Sequence, residues 1–176
     1  LNIDGESKFI GRGVSFCAVC DAAFYKNKTV AVIGGGDTAV EEALYLTKFA
    51  EKVIIIHRRD KFRAARILID RALSNPKIEC RFDMIPVSIN GDKKIENITV
   101  KNKNTGEQLL ITVDGVFVFI GYEPNTGIIS EQIRRDNNGY IIVDSKQATN
   151  INGVFAAGDI CSKFLRQIVT ACADGA

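Results

Sequence analysis

The chain has 176 residues, 46% of them hydrophobic, and its 23 basic and 21 acidic residues give a net charge of +2. A chain of this length can bury a proper hydrophobic core, and its nearly balanced charge gives no electrostatic reason to expect nucleic acid as a partner. No apolar run approaches the roughly 20 residues that span a bilayer, and no signal-peptide pattern is present, so we expect a cytoplasmic protein with no membrane partner.

The cysteines are five in number, and their irregular spacing argues against a secreted disulfide framework. Three of them are expected to be buried thiols: Cys80, Cys161 and Cys172. The other two, Cys17 and Cys20, form a C-x-x-C pair, which can be a redox disulfide, half of a zinc site or two core cysteines. Zinc is the least favoured, because the only histidine is His57 and no second ligand pair has zinc spacing; we expect no metal. Asp21 is either a proton donor or a solvated carboxylate.

The stretch from Val30 to Ala39 predicts a buried strand, a tight turn and a helix. Its turn matches the pattern G-x-G-x-x-A, in which missing side chains let backbone amides at a helix N-terminus approach a pyrophosphate. A tight strand-to-helix turn without a ligand can use the same glycines, so the flanking residues decide the interpretation. The candidate binding residues here are Gly34, Gly35, Gly36, Asp37 and Thr38.

The helix after this turn is predicted to be amphipathic. Asp37 or Thr38 can cap it, and Thr38 has capping-box spacing to Glu41. The small apolar residues that follow form one stripe, which lets the helix lie close to a sheet. Glu41 and Glu42 are expected to point away from that stripe.

A second buried strand, Val53 to Ile56, completes a β-α-β unit. An NAD site would place an acidic residue after this strand, where this chain has arginines. Guanidinium groups suit the 2′-phosphate of NADP, because their forked donors satisfy several phosphate oxygens. An ordinary exposed loop is the alternative, but the order of turn, strand and arginines favours NADPH. The candidate residues are His57, Arg58, Arg59 and Arg63.

The next elements predict an α/β fold with a parallel sheet. Ala64 to Ser74 is predicted to be a helix with Ala72 and Leu73 on its buried side. From Ile78 to Val113 the hydrophobic period changes to two, which predicts a three-stranded antiparallel meander. Val116 to Ile120 is then a fully buried strand that rejoins the parallel sheet.

A linker is predicted at Gly121 to Gly127, which contains Gly, Pro, Asn and Thr, and we expect a domain boundary there. Beyond it, Tyr140 to Val143 is predicted to be a strand, and Gly153 to Asp159 a strand that runs into a turn. A helix is expected from Leu165 onwards.

An ordered set of motifs covers almost the whole chain and resembles the bacterial low-molecular-weight thioredoxin reductase family. The motifs are Cys17-Ala-Val-Cys20-Asp21, Gly34-Gly-Gly-Asp-Thr-Ala39, His57-Arg58-Arg59-Asp60-Lys-Phe-Arg63, Gly121-Tyr-Glu-Pro-Asn-Thr126 and Gly153-Val-Phe-Ala-Ala-Gly-Asp159. The resemblance implies a Rossmann-like three-layer FAD/NAD(P)-binding fold, with helices on one face of the parallel sheet and the meander on the other.

The same resemblance implies the division of labour within the chain. Residues 1–120 would be the NADPH-binding domain that carries the redox disulfide, residues 121–126 a hinge, and residues 127–176 the C-terminal part of the FAD-binding domain. Electrons would pass from NADPH through FAD to a Cys17–Cys20 disulfide, assisted by Asp21 as an acid, and on to thioredoxin. The whole protein would be a homodimer.

Further site residues follow only from the resemblance. Gly121 would contribute to the NADPH site, Asp159 would lie near the ribityl and phosphate region of FAD, and the residues just after Leu165 would approach the flavin. The candidate FAD residues are Gly158, Asp159, Arg166, Gln167 and Ile168.

The sequence differs from the family pattern at its N-terminus, and two other functions are alternative interpretations of the same motifs. Leu1 is not an initiator methionine and the family's N-terminal FAD segment is missing, so we expect a fragment that binds FAD poorly and does not turn over alone. The nearest alternative is the flavoprotein subunit of alkyl hydroperoxide reductase, which has an additional N-terminal domain. The other is a non-catalytic NADP-binding redox sensor, in which the C-x-x-C pair reports redox state to a partner.

Overall fold

The computed structural model describes residues 1–176, which divide into two units, residues 1–120 and residues 121–176. The strands of the first unit are β1 (Val14–Ser15), β2 (Thr29–Gly34), β3 (Lys52–Ile56), β4 (Ile78–Arg81), β5 (Met84–Asn90), β6 (Asn97–Asn102), β7 (Gln108–Thr112) and β8 (Gly115–Phe119). Its helices are α1 (Glu6–Phe9), α2 (Ala18–Asp21), a 3₁₀ helix (Ala22–Tyr25), α3 (Asp37–Leu46) and α4 (Arg66–Leu73).

Five of these strands form a parallel sheet in the order β1-β8-β2-β3-β4. The central strand is β2, where Val32 pairs with Ile55 of β3 on one side and with Phe117 of β8 on the other. The remaining three strands form the separate antiparallel sheet β5-β6-β7. The predicted parallel sheet and meander are therefore confirmed.

The parallel sheet is covered on both faces. Successive side chains of a strand point to opposite faces, so each strand contributes to the packing on both sides. Val30 and Val32 of β2 pack in one cluster with residues of α3 such as Ala43. Ala31 and Ile33 point the other way and pack in a second cluster with residues of the meander, which include Ile98 and Val100. These two clusters confirm the predicted three layers.

Two boundaries in this unit differ from the sequence prediction. Ile78–Arg81 is not part of the meander, because it pairs in parallel with β3 at the edge of the large sheet. The helix predicted at Ala64 to Ser74 is the shorter α4. Its Leu73, expected on the buried side, is 59% exposed, whereas Ala72 is buried. A short apolar run at a sheet edge has the same hydrophobic period in either sheet, so periodicity alone does not assign it.

The second unit contains one helix, α5 (Ile168–Gly175), and its other backbone pairing consists of isolated bridges. The predicted strands at 140–143 and 153–159 are therefore wrong as regular strands, although Ile141 pairs singly with Arg135 and with Cys161. The helix also begins three residues later than expected, at Ile168. Nowhere in the chain does a helix have the length and apolar character needed to cross a membrane.

Candidate functional site

The glycine-rich turn connects β2 to α3 and is closed on one side and open on the other. Gly34 has φ +150°, and a Cβ there would collide with the Phe119 carbonyl of β8. A Cβ at Gly35 would collide with the His57 ring, whereas one at Gly36 would meet nothing within 4 Å. Glycine is therefore required on the inner side by packing, and the outer side leaves space for a ligand beside the backbone.

The N-terminus of α3 has no side-chain cap, so the predicted capping by Asp37 or Thr38 is wrong. Its N-cap is Gly36, and no side chain accepts a hydrogen bond from the first turn there. The Asp37 carboxylate instead accepts a hydrogen bond from the Ala65 backbone N–H at 2.7 Å. The first N–H groups of this ten-residue helix thus have no side-chain acceptor, which leaves them available to phosphate oxygens.

The loop after β3 is held against this turn. Strands β2 and β3 are parallel neighbours, so the segments that follow them leave the same edge of the sheet. The Arg63 backbone N–H donates to the Gly35 carbonyl at 2.8 Å, and the Asp37 contact to Ala65 adds a second anchor. The loop that contains the arginines is therefore part of the same site as the glycine turn.

Three arginines of this loop, Arg58, Arg59 and Arg63, are exposed. No acidic side chain lies within salt-bridge distance of any of them in the described chain, residues 1–176. All three are close enough to His57 to lower its pKa. The result is a positive patch beside the turn with its guanidinium donors free for an anion, which fits a phosphate on the ribose of a dinucleotide.

His57 itself occupies a different position from the arginines. It is 5% exposed, its ring lies under Gly35 and stacks on Phe62 at 5.9 Å, and its Nε2 atom has no hydrogen-bond partner. Burial lowers the pKa of His57, Arg59 and Arg63 lower it further, and a hydrogen bond with the Lys61 backbone opposes them. The buried ring packs against Gly35 and supports the glycine turn, and the arginines provide the exposed positive charge.

Titration of His57 by NMR is expected to give a pKa below the ordinary value of about 6.5. Because the folded-state pKa is lowered, the unfolded chain binds the proton more readily, and the free energy of unfolding should fall as the pH drops below about 6.5. The signal is unambiguous since the chain has one histidine. A pKa at or above the ordinary value would contradict burial of the ring beside the arginines.

Cys17 and Cys20 are joined in a disulfide, as the resemblance implied. Cys17 is the N-cap of α2, and its sulfur accepts a hydrogen bond from the Cys20 N–H at 3.2 Å. Cys17 is half-buried and Cys20 is exposed, so an attacking thiol can reach the disulfide from solvent. No group of three or more His, Cys, Asp or Glu side chains in residues 1–176 is arranged to hold a metal.

Asp21 is connected to this disulfide through a serine that the sequence analysis missed. The Ser15 hydroxyl donates to Asp21 Oδ2 at 2.7 Å and accepts from the Cys17 backbone N–H at 3.2 Å. Ser15 lies on β1 and is 4% exposed, so its side chain is fixed in place. Only its position two residues before the first cysteine could have signalled this role.

Glu42 lies outside the apolar stripe of α3, but it is half-buried and contacts another helix. Its carboxylate accepts a hydrogen bond from the Ala18 N–H at 3.1 Å, at the beginning of α2. Burial raises the pKa of Glu42, and hydrogen bonds from Ala18 and Val19 partly oppose that effect. A charged side chain of α3 is thus placed next to the disulfide.

The other cysteines correct the expectation that all three are buried. Cys161 is buried, Cys80 is half-buried and Cys172 is exposed. Cys172 lies on α5, a helix that contains no buried residue.

The candidate FAD residues lie in the second unit. Gly158 has φ +88°, and its N–H donates to Asp174 Oδ2 at 2.9 Å. The Arg166 guanidinium lies 3.9 Å from the centre of the Tyr140 ring and donates to the Asp159 carbonyl at 3.3 Å. A cavity of about 350 Å³ is lined by Tyr122, Glu123, Pro124, Asn125, Tyr140, Asp159, Ile160 and Arg166.

The helix that follows this cavity begins with the last two candidate residues. Gln167 is the N-cap of α5, and its side chain forms a capping box with Thr170. Ile168 is 85% exposed. Gly121, at the beginning of the same unit, is exposed and has φ +101°. The second unit thus has a cavity lined by one arginine, two carboxylates and two tyrosines, and a separate exposed apolar helix end.

This chain is similar in sequence and in structure to several known proteins. Residues 1–175 match the profile of the family described as pyridine nucleotide-disulphide oxidoreductase. A thioredoxin reductase of Peptoclostridium acidaminophilum is 50% identical over 98% of this chain and 56% of its own length. Crystal structures of the thioredoxin reductases of Streptococcus pyogenes and Lactococcus lactis have TM-scores of 0.91 and 0.78 and identities of 45% and 48%. Both cover 99% of this chain, which spans 57% and 58% of theirs.

Proposed function

Because the chain belongs to the pyridine nucleotide-disulphide oxidoreductase family, we propose that the whole protein is an NADPH-dependent flavoprotein that reduces thioredoxin. The observation that carries this proposal is the Cys17–Cys20 disulfide, with Cys20 exposed, in the same unit as the glycine turn and the arginine patch. The chain spans a little over half of the thioredoxin reductases it matches, 56% for the Peptoclostridium acidaminophilum protein. The activity is therefore assigned to the whole protein.

In this proposal residues 1–120 hold NADPH. The uncapped N–H groups at the beginning of α3 would bind the pyrophosphate, with Gly36 leaving room for its approach. Arg58, Arg59 and Arg63 would bind the 2′-phosphate, since they are exposed and have no acidic partner. We assign His57 a supporting position under the turn, because it is buried.

Residues 127–176 would hold part of FAD. The cavity beside Asp159 and Arg166 and the exposed end of α5 at Ile168 support this assignment. When bound, FAD would relay two electrons from NADPH to the disulfide. Residues 121–126, which begin at the boundary between the two units, are proposed as the hinge.

The disulfide would then act by thiol exchange. Reduction of Cys17–Cys20 consumes two electrons and two protons and gives two thiols. One thiolate attacks the disulfide of thioredoxin, displaces one of its sulfurs and forms a mixed disulfide; the second thiolate displaces the other sulfur and restores Cys17–Cys20. Asp21, held by Ser15 beside Cys17, is positioned to supply or receive the protons.

The test is the activity of the whole protein purified with FAD. We expect NADPH oxidation that depends on oxidised thioredoxin and yields stoichiometric thioredoxin dithiol. Flavin-dependent reduction of a peroxidase partner without thioredoxin would favour the alkyl hydroperoxide reductase subunit. NADPH binding without any turnover would favour the redox sensor. The resemblance further implies a homodimer of the whole protein, which sedimentation analysis would test.

A further inference from the structure

Glu42 reaches across from α3 to the beginning of the helix that carries the disulfide. Its Oε2 atom accepts a hydrogen bond from the Ala18 N–H at 3.1 Å. The Cys17 sulfur, at the N-cap of the same helix, accepts from the Cys20 N–H at 3.2 Å. The N–H groups of this first turn are thus divided between a carboxylate and a sulfur.

The Glu42 carboxylate opposes a negative charge on Cys17. In C-x-x-C motifs, N–H groups at the beginning of a helix stabilise the thiolate of the first cysteine and lower its pKa. Here Glu42 occupies the Ala18 N–H, and its negative charge repels a thiolate on the residue before Ala18. Stabilising the reduced form makes a dithiol pair a strong oxidant, so destabilising it makes the pair a stronger electron donor.

We propose that Glu42 is a positioning residue that sets the redox equilibrium of the Cys17–Cys20 disulfide in favour of electron donation, by placing its negative charge at the beginning of α2, next to the Cys17 thiolate. This inference rests on the proposed redox role of the disulfide, and it does not require that thioredoxin be the acceptor. Glu42 is not consumed in the reaction. It shifts the balance between the S–S bond and the two thiols that form from it with two electrons and two protons.

The test is the equilibrium of the purified chain with mixtures of reduced and oxidised dithiothreitol, comparing wild type with Glu42→Gln. Dithiothreitol supplies the two electrons and two protons and becomes a cyclic disulfide. Trapping by alkylation and mass spectrometry of the peptide with Cys17 and Cys20 separates this pair from the other cysteines. At about pH 8.5, where thiolates are populated, the equilibrium constant for reduction should rise about threefold to tenfold in the variant, or about 15 to 30 mV at 29.6 mV per tenfold.

The pH dependence separates this role from a structural one. Near pH 6 both sulfurs are protonated, so the difference between wild type and Glu42→Gln should shrink to less than about 1.5-fold. Loss of packing alone would change the equilibrium by the same factor at both pH values. The other titratable groups near the disulfide are Asp21 of α2, held by Ser15 of β1, and Tyr25 of the adjoining 3₁₀ helix. Both are unchanged in the variant.

The matched control is Glu41→Gln, which removes the same charge from the exposed neighbouring position of α3 and should leave the equilibrium within about twofold of wild type. Equal equilibrium constants for wild type and Glu42→Gln at pH 8.5 would overturn the inference. Should that variant not fold, the alkylation rate of Cys17 in the reduced wild-type chain decides, because a thiol pKa below about 7 is incompatible with the proposal. A disulfide that cannot be reduced reversibly would instead overturn the proposed function.

Discussion

Replacing Cys20 by serine in the whole protein is expected to lower the rate of thioredoxin reduction at least about a thousandfold. Thiol exchange needs both sulfurs, since one forms the mixed disulfide and the other resolves it. Binding of NADPH should stay within about twofold of wild type, because the glycine turn and the arginine loop make no use of the cysteine. Stopped-flow measurement of thioredoxin reduction and calorimetry of NADPH binding check the two expectations together.

The control for this loss is Cys172→Ser, which removes an exposed lone thiol and should leave the rate of thioredoxin reduction unchanged. Of the two single variants Cys17→Ser and Cys20→Ser, the one that retains the attacking sulfur should accumulate a mixed disulfide with thioredoxin, visible on a non-reducing gel. Residual activity near that of wild type in both variants would mean that Cys80, Cys161 or Cys172 carries the electrons, and it would refute the role assigned to the pair.

The glycine turn and the arginine loop were predictable as one site because the connectivity of parallel strands dictates it. A β-α-β unit brings the segments after β2 and β3 to the same edge of the sheet, whatever the side chains are. What the sequence did not predict is how the two are fastened. The bonds from Arg63 to Gly35 and from Ala65 to Asp37 depend on the conformation of the loop. The sequence therefore predicts that Asp37 can cap its own helix, whereas its carboxylate accepts from the Ala65 N–H.

The environment of the disulfide was predicted less completely, because it is made by contacts between elements distant in the chain. The amphipathic pattern of α3 places Glu42 outside the apolar stripe, and from that helix alone the residue belongs in solvent. The short helix α2 packs on that side, and its Ala18 N–H donates to the carboxylate. Ser15 was missed for a similar reason, since its neighbours are set by the pairing of β1 with β8.

In the second unit, an apolar pattern was not sufficient to predict a strand. Tyr140 and Ile141 are buried as a strand would require, but Ile142 is 44% exposed, and the backbone makes only isolated bridges. A hydrophobic run predicts burial, whereas a strand also needs a neighbouring strand with which to share hydrogen bonds. The pattern contains no information about that neighbour.

Replacing Arg58, Arg59 and Arg63 together by alanine is expected to raise the Kd for NADPH about a hundredfold and to change the Kd for NADH less than about threefold. Each guanidinium that bonds a phosphate contributes about 1 kcal/mol when it is exposed, because solvent screens the full value of a charge-assisted hydrogen bond, and three such losses amount to about two powers of ten. NADH lacks the 2′-phosphate, so only long-range attraction to its pyrophosphate is lost. Isothermal titration with both nucleotides measures the ratio directly.

The matched control for the arginine triple variant is Arg71→Ala, which removes an exposed arginine from α4 and should leave both dissociation constants unchanged. The backbone bond from Arg63 to Gly35 survives replacement of the side chain, so the turn keeps its shape and a selective loss reports on the guanidinium groups alone. An equal loss for NADPH and NADH would show that the arginines supply only a general positive field. Unchanged affinity for both nucleotides would show that the dinucleotide does not bind at this edge of the sheet. The proposed route of electrons from NADPH to the Cys17–Cys20 disulfide would then need a different binding site.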